Sequence, residues 1–184
     1  MLDTTYLRCE RFFQPFGNRF ATSDGRGKSM YLEIKNIKKS YGESAGYVEV
    51  LKGISTGVEK GEMCVIYGPS GSGKSTFLNV IGGLDTVDSG SIRVDGKEIV
   101  GLSQEKLSDY RRDNLGFIFQ FYNLIPNLTI RENIELCACL TKNPLSLDEL
   151  LEVLGLTQHQ NKFPAQLSGG QQQCAIARAL IGLK

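Results

Sequence analysis

Nine consecutive residues, Gly68-Pro69-Ser70-Gly71-Ser72-Gly73-Lys74-Ser75-Thr76, constrain this chain more than any other stretch. They fit the pattern G-x-x-x-x-G-K-[ST], a loop whose glycines let backbone N–H groups turn toward an anion with no Cβ in the way. A helix that begins at the end of such a loop adds its positive N-terminus. A flexible Gly/Ser linker would share much of this composition, but the flanks argue against one. Glu62-Met63-Cys64-Val65-Ile66-Tyr67 reads as a short buried strand leading in. Thr76 to Leu84, with Phe77, Leu78, Val80 and Ile81, reads as an apolar helix start leading out. Strand, glycine loop and helix together define a phosphate-binding loop. Lys74 is placed to reach the β- and γ-phosphates of a nucleotide, and the Ser75 hydroxyl to ligate Mg²⁺.

The rest of the composition excludes several classes. At 184 residues the chain is long enough for about one domain with its own core. Net charge is +1 and the basic residues are scattered, so no nucleic-acid partner is expected. No apolar run approaches the roughly 20 residues of a membrane-spanning helix, and the N-terminus has no secretory apolar core. The cysteines, Cys9, Cys64, Cys137, Cys139 and Cys174, lack a framework spacing. Cys137-Ala138-Cys139 has no second Cys/His pair at metal-ligand spacing, so all five read as buried, reduced thiols.

Residues 1–29 differ from the rest of the chain. Phe12, Phe13, Phe16 and Phe20 follow neither helical nor strand spacing, and Gly25-Arg26-Gly27-Lys28 reads as a loop. The segment is expected to be an extension without a packed role, with the domain starting at Met30. Tyr31 to Ile37 alternates as a half-buried strand, Tyr47 to Leu51 repeats the pattern, and Lys52-Gly53 is expected to turn into a third strand at Ile54–Val58. Ser91 to Ile99 reads as a hairpin turning on Asp95-Gly96. Ser103 to Arg112 reads as a polar helix, and Leu115 to Gln120 as an apolar strand. Three capping signals then mark helix starts at Thr129–Glu132, Ser146–Glu149 and Ser168–Gln171, the second helix stopping at Gly155. Strands around a phosphate loop followed by helices predict an α/β fold: a P-loop NTPase core with an antiparallel β subdomain and an inserted helical subdomain over about residues 121–180.

Leu167-Ser168-Gly169-Gly170-Gln171-Gln172-Gln173 is a second candidate anion site, with an N-cap serine, two glycines and a helix dipole behind them. It lies about a hundred positions after the first loop. With both motifs in place, the chain from Met30 to about Leu180 resembles the ATP-binding subunits of ABC transporters. Within them it is most similar to the exporter-type group of lipoprotein-release and macrolide or peptide-export ATPases. Gly68–Thr76 is similar to the family's Walker A loop, Phe119-Gln120 to its Q-loop and Leu167–Gln171 to its signature. Tyr110-Arg111-Arg112 through Gln120-Phe121-Tyr122-Asn123-Leu124-Ile125-Pro126 is similar to a stretch typical of the subgroup.

The resemblance implies further roles. Tyr41 resembles the aromatic that stacks on adenine, and Gln120 the residue that touches Mg²⁺ or the attacking water. It implies ATP and Mg²⁺ as ligands, with Ser75 and Gln120 toward the metal. It also implies pairing, as a homodimer or with another ATP-binding domain, so that Ser168, Gly169, Gly170 and Gln171 act on the partner's nucleotide. A membrane permease subunit is the implied partner, and the cytoplasmic membrane face the implied location. A soluble ABC-type ATPase and a non-catalytic nucleotide-binding fragment are the alternative readings.

Two departures from the family are visible. The sequence given stops at Ile181-Gly182-Leu183-Lys184, and the family's Walker B aspartate, catalytic glutamate and switch histidine are not located in it. The domain is therefore expected to be incomplete at the C-terminus and without hydrolysis of its own. His159, the one histidine, reads as a solvated side chain. The family also places an arginine and one more residue before Ala-Ile-Ala-Arg-Ala-Leu, where this chain has Cys174 alone. One missing helical residue rotates every later position of the helix by about 100°, so the apolar stripe and the motif are not expected to keep the family's relative orientation.

Overall fold

The computed structural model describes residues 8–11 (backbone only), 30–43, 46–141, 143–167 and 170–182. The chain divides into two compact units, Met1–Ser103 and Gln104–Lys184.

The first unit is built on a four-stranded antiparallel sheet in the order β3-β2-β5-β6, from β2 (Met30–Tyr41), β3 (Val48–Glu59), β5 (Ser89–Val94) and β6 (Lys97–Glu98). Ile34, Ile37, Leu51, Ile92 and Val94 are buried along it. The β5–β6 hairpin turns where the sequence places it: Asp95 and Gly96 both have positive φ, 48° and 74°, as a tight turn of that hand needs. Glu98 then closes the hairpin, accepting from the Ser91 hydroxyl and from the N–H groups of Ile92 and Val100.

The turn expected at Lys52-Gly53 is instead an irregularity inside one long strand. Gly53 has φ +84°, and a Cβ there would lie 2.7 Å from the Asn36 side-chain oxygen across the ladder. Asn36 is itself at φ 48°, and the β2–β3 register shifts on both sides of Ile37. A glycine with that φ bends and twists a strand without ending it.

A second, two-stranded sheet pairs β1 (Arg8–Arg11) antiparallel with β4 (Cys64–Tyr67). Two expectations fail here. Part of the N-terminal extension has a packed backbone role, since Arg8 to Arg11 runs opposite Tyr67 to Cys64. And β4 is not a buried strand: Val65 and Tyr67 are 38% and 42% exposed, because β1 is the only described strand beside it. Cys64 is disulfide-bonded, against the expectation of five reduced thiols, while Cys137, Cys139 and Cys174 are free. Helix α1 (Lys74–Ile81) comes after β4 and buries Phe77 and Val80.

The second unit is helical: α2 (Gln104–Asn114), α3 (Ile130–Ala138), α4 (Leu147–Val153) and α5 (Gly170–Leu180), with short 3-10 turns at Thr157–His159 and Pro164–Gln166. Its core gathers Ile130, Ile134, Leu151, Leu156, Leu167, Cys174, Ala177 and Ile181. Thr129 and Glu132 form the expected capping box at α3, and the Ser146 hydroxyl accepts from the Glu149 N–H at α4. Behind Thr129, the buried Asn133 side chain ties the preceding loop down. Its amide donates to the carbonyls of Ile125, Leu128 and Thr129 at 3.0 Å, and its oxygen accepts from the Ile125 N–H at 2.8 Å. The strand expected at Leu115–Gln120 is not formed, since no described strand offers it an edge. It runs against α5 instead, where a Cβ on Gly116 would lie 2.4 Å from the Ala179 carbonyl oxygen. His159 is half-buried rather than solvated, and its Nδ1 is enclosed without a hydrogen-bond partner among the described residues.

Helix α5 is unbroken despite its one-residue difference from the family. Cys174, Ala175, Ala177 and Ala179 are all buried. At about 100° per residue these positions cover an arc of about 200°, roughly half the helix surface. Small side chains make that possible.

Candidate nucleotide-binding site

The phosphate loop leaves β4 at Gly68 and ends on α1, so strand, loop and helix succeed one another as the motif requires. Gly71 and Gly73 take φ values of +79° and +88°, in the left-handed region that favours glycine. A Cβ on Gly73 would lie 2.9 Å from the Val50 side chain and 3.2 Å from its carbonyl oxygen, so β3 fits against the loop only if residue 73 is glycine. At Gly71 nothing lies within 4 Å and the space is open. Gly73 caps α1, its carbonyl accepting from the Phe77 N–H at 2.8 Å, and among the described residues no side chain caps the helix by a hydrogen bond. The first N–H groups of a helix have no partner within it and suit an anion.

Lys74 lies across the loop. Its Nζ donates to the Gly68 carbonyl at 2.8 Å, to the Pro69 carbonyl at 2.7 Å and, more distantly, to the Ser72 hydroxyl at 3.5 Å. Ser72 is buried, whereas Pro69, Ser70 and Ser75 are exposed. A cation held among glycines, beside a helix N-terminus and an exposed serine hydroxyl, fits a polyphosphate and a hydrated Mg²⁺. Among the described residues no cluster of three or more His, Cys, Asp or Glu could hold a metal by itself. Phosphate oxygens of a bound nucleotide and water would supply the other ligands beside Ser75.

Tyr41, at the end of β2, lies in the same unit as the loop. Its hydroxyl donates to Asp85 Oδ2. Asp85 further accepts from Lys39 Nζ at 2.9 Å and from the Thr86 N–H at 2.7 Å. Lys39 Nζ lies 5.0 Å from the centre of the Tyr41 ring. Partial burial and the neighbouring Asp85 carboxylate raise the Tyr41 pKa. Neither Lys39 nor Asp85 was singled out from the sequence. The available signal was phase: Lys39 shares an inward-facing position of β2 with Ile37, where a lysine needs a partner.

The remaining candidates lie in the second unit. Gln120 is exposed, at a turn continued by Tyr122 and Asn123 with φ 60° and 46°. Arg178 of α5 donates to the Asn123 carbonyl at 2.7 Å, which ties the segment after Gln120 to the helix that carries the end of the second motif. Ser168 and Gly169 lie outside the described residues. Gly170 is the first residue of α5 and packs on Leu167 and Leu156, while the Gln171 amide donates back to the Pro164 carbonyl at 2.8 Å. No described helix is long and apolar enough to cross a membrane.

The loop, the antiparallel sheet and the helical unit define a P-loop NTPase of α/β class. Residues 51–183 match the ABC transporter family, and the chain belongs to it. It is 48% identical over 156 residues to the macrolide export ATP-binding/permease protein MacB of Shigella flexneri, covering 82% of this chain and 24% of that one. It is 46% identical over 156 residues to the bacitracin export ATP-binding protein BceA of Halalkalibacterium halodurans, covering 82% and 62% respectively. Among solved structures it is similar, with a TM-score of 0.72 and 38% identity, to a dimeric post-hydrolysis state of the ATP-binding cassette MJ0796 bound to ADP and Pi. That match covers 82% of this chain and 69% of the other. The chain spans only a quarter to a third of the length of MacB and of a putative ABC transporter ATP-binding protein of Mycoplasma pneumoniae.

Proposed function

We propose that this chain is the nucleotide-binding part of an ABC exporter. Residues 68–76 and Tyr41 would take ATP with Mg²⁺, and a separate membrane subunit would use the binding energy for transport. The observation that carries this reading is the loop itself: two left-handed glycines, a helix that starts on a glycine cap and the Lys74 ammonium lie close together along the chain. The names of the relatives, macrolide export and bacitracin export, support the exporter class.

In this reading Lys74 leaves the Gly68 and Pro69 carbonyls for the β- and γ-phosphates, and the loop N–H groups hold the oxygens on the other side. The Ser75 hydroxyl would ligate Mg²⁺, which would supply charge neutralisation at the phosphate oxygens. Gln120 would touch Mg²⁺ or the attacking water. Ser168, Gly169, Gly170 and Gln171 donate to a nucleotide held by a paired domain, the dimeric state of the MJ0796 cassette supporting that pairing. Such an assembly would work at the cytoplasmic face of the membrane.

Charge stabilisation at the transferring phosphoryl group also needs an activated water, and none of the residues assigned to the site is a general base for one. We therefore expect residues 1–184 alone to bind nucleotide weakly and not to turn it over. Phosphate release from purified protein with Mg-ATP should stay at background. A turnover rate abolished by Lys74→Ala would refute that part of the reading.

A further inference from the structure

Lys39, Tyr41 and Asp85 form a network that phosphate binding does not call for. Lys39 is 8% exposed, although it carries a full charge on a strand position that an aliphatic residue would fill at lower cost. Among the described residues its ionic partner is Asp85, at 2.9 Å. Asp85 lies four residues beyond α1 and is referred back to that helix, its N–H donating to the Asn79 carbonyl at 3.3 Å. The carboxylate is thus anchored to the helix that the phosphate loop opens. It holds the far end of the Tyr41 side chain by the hydroxyl.

A tyrosine at the end of a strand, 43% exposed, would otherwise turn about its side-chain torsions. Here the hydroxyl is tethered to Asp85, and the Lys39 ammonium approaches the ring within cation–π range. The ring is pinned at its tip and flanked by a cation, and its exposed part is left for a flat ligand.

We propose that Asp85, locked by Lys39, is a positioning residue for the nucleobase: it holds the Tyr41 ring in the orientation that stacks on the base. Affinity for the base is then set by an ion pair that touches neither base nor phosphate. The inference rests on the assignment of Tyr41 to base stacking above. Ordering one side chain in advance corresponds to about three- to tenfold in affinity.

The test compares ATP with inorganic tripolyphosphate, which has the phosphates and no base, on the full 184-residue chain by calorimetry or equilibrium dialysis. Asp85→Ala should weaken ATP about three- to tenfold and leave tripolyphosphate within about twofold. Tyr41→Phe keeps the ring, loses the tether and should do the same, and the double variant should be no weaker than either single one. Tyr41→Phe lies at an exposed position and carries the test if Asp85→Ala does not fold. Equal weakening of both ligands would make Asp85 a structural support of the loop and overturn the proposal, as would no effect on either. If Tyr41→Ala leaves ATP binding unchanged, the stacking assignment itself falls, and the positioning role with it. Loss of ATP discrimination in Tyr41→Ala with none in Asp85→Ala and Tyr41→Phe overturns the positioning role alone.

Discussion

Burial raises the Asp85 pKa, but hydrogen bonds from Tyr41, Lys39 and the Thr86 N–H outweigh it and leave the carboxyl below its ordinary value of 3.8. Glu98 behaves alike: burial raises it, but hydrogen bonds from the Ser91 hydroxyl and the Ile92 and Val100 N–H groups outweigh this and leave it below 4.5. A folded-state pKa below the unfolded one gives stability that is fully present above the unfolded value and is lost as pH falls through the folded one. Denaturant midpoints measured between pH 7 and pH 2 should therefore hold near neutrality and fall below about pH 4, and Asp85→Asn should flatten that fall. A midpoint insensitive to acid would contradict both assignments. Cysteine chemistry is equally local. Burial pushes the Cys174 thiol up to about 11, and it lies in the helical core, while Cys139 is exposed. At about pH 8 a thiol reagent should label Cys139 in the native protein and reach Cys174 only after denaturation. Mass spectrometry of the labelled peptides checks this, and native labelling of Cys174 would place it outside the core.

Among the elements, α3 and α4 were legible because their starts carry their own chemistry. The Thr129–Glu132 box works within four residues, so the sequence alone contains it. The β5–β6 hairpin was legible for the same reason, its two positive-φ residues being Asp and Gly. What failed depends on partners far along the chain. Leu115–Gln120 has a strand's composition but is a strand only if an edge is offered, and Gly116 lies on Ala179 instead. The apolar run before the phosphate loop forms β4 as expected, but its burial depends on neighbours that a local pattern does not specify. Asn133 was invisible for a related reason. One buried asparagine joins Ile125, Leu128 and Thr129 through loop geometry that no periodicity encodes. Asn133→Ala leaves those groups unpaired in a site where the residue is 1% exposed, and should cost about 1–3 kcal/mol. Thermal or urea unfolding reads that loss, and a change below a few tenths of a kcal/mol would show the network to be redundant. Arg178, which bonds the Asn123 carbonyl behind Gln120, is a second link of this kind.

At the scale of the whole molecule, two compact units share the candidate machinery. The first holds the phosphate loop with Tyr41, Lys39 and Asp85; the second holds Gln120 and the helix that begins at Gly170. Family membership was legible because two glycine-rich motifs about a hundred residues apart are far more specific together than either is alone. The one-residue difference in the second motif did not break α5, since alanines and a cysteine let about half its surface be buried. The central claim is that the loop around Lys74 binds nucleotide phosphate. Equilibrium dialysis of the 184-residue chain with radiolabelled Mg-ATP, beside its Lys74→Ala variant, tests it most directly. The predicted result is weak, saturable retention by the parent chain that Lys74→Ala abolishes. Equal retention by the two proteins, or none by either at millimolar ATP, would contradict it.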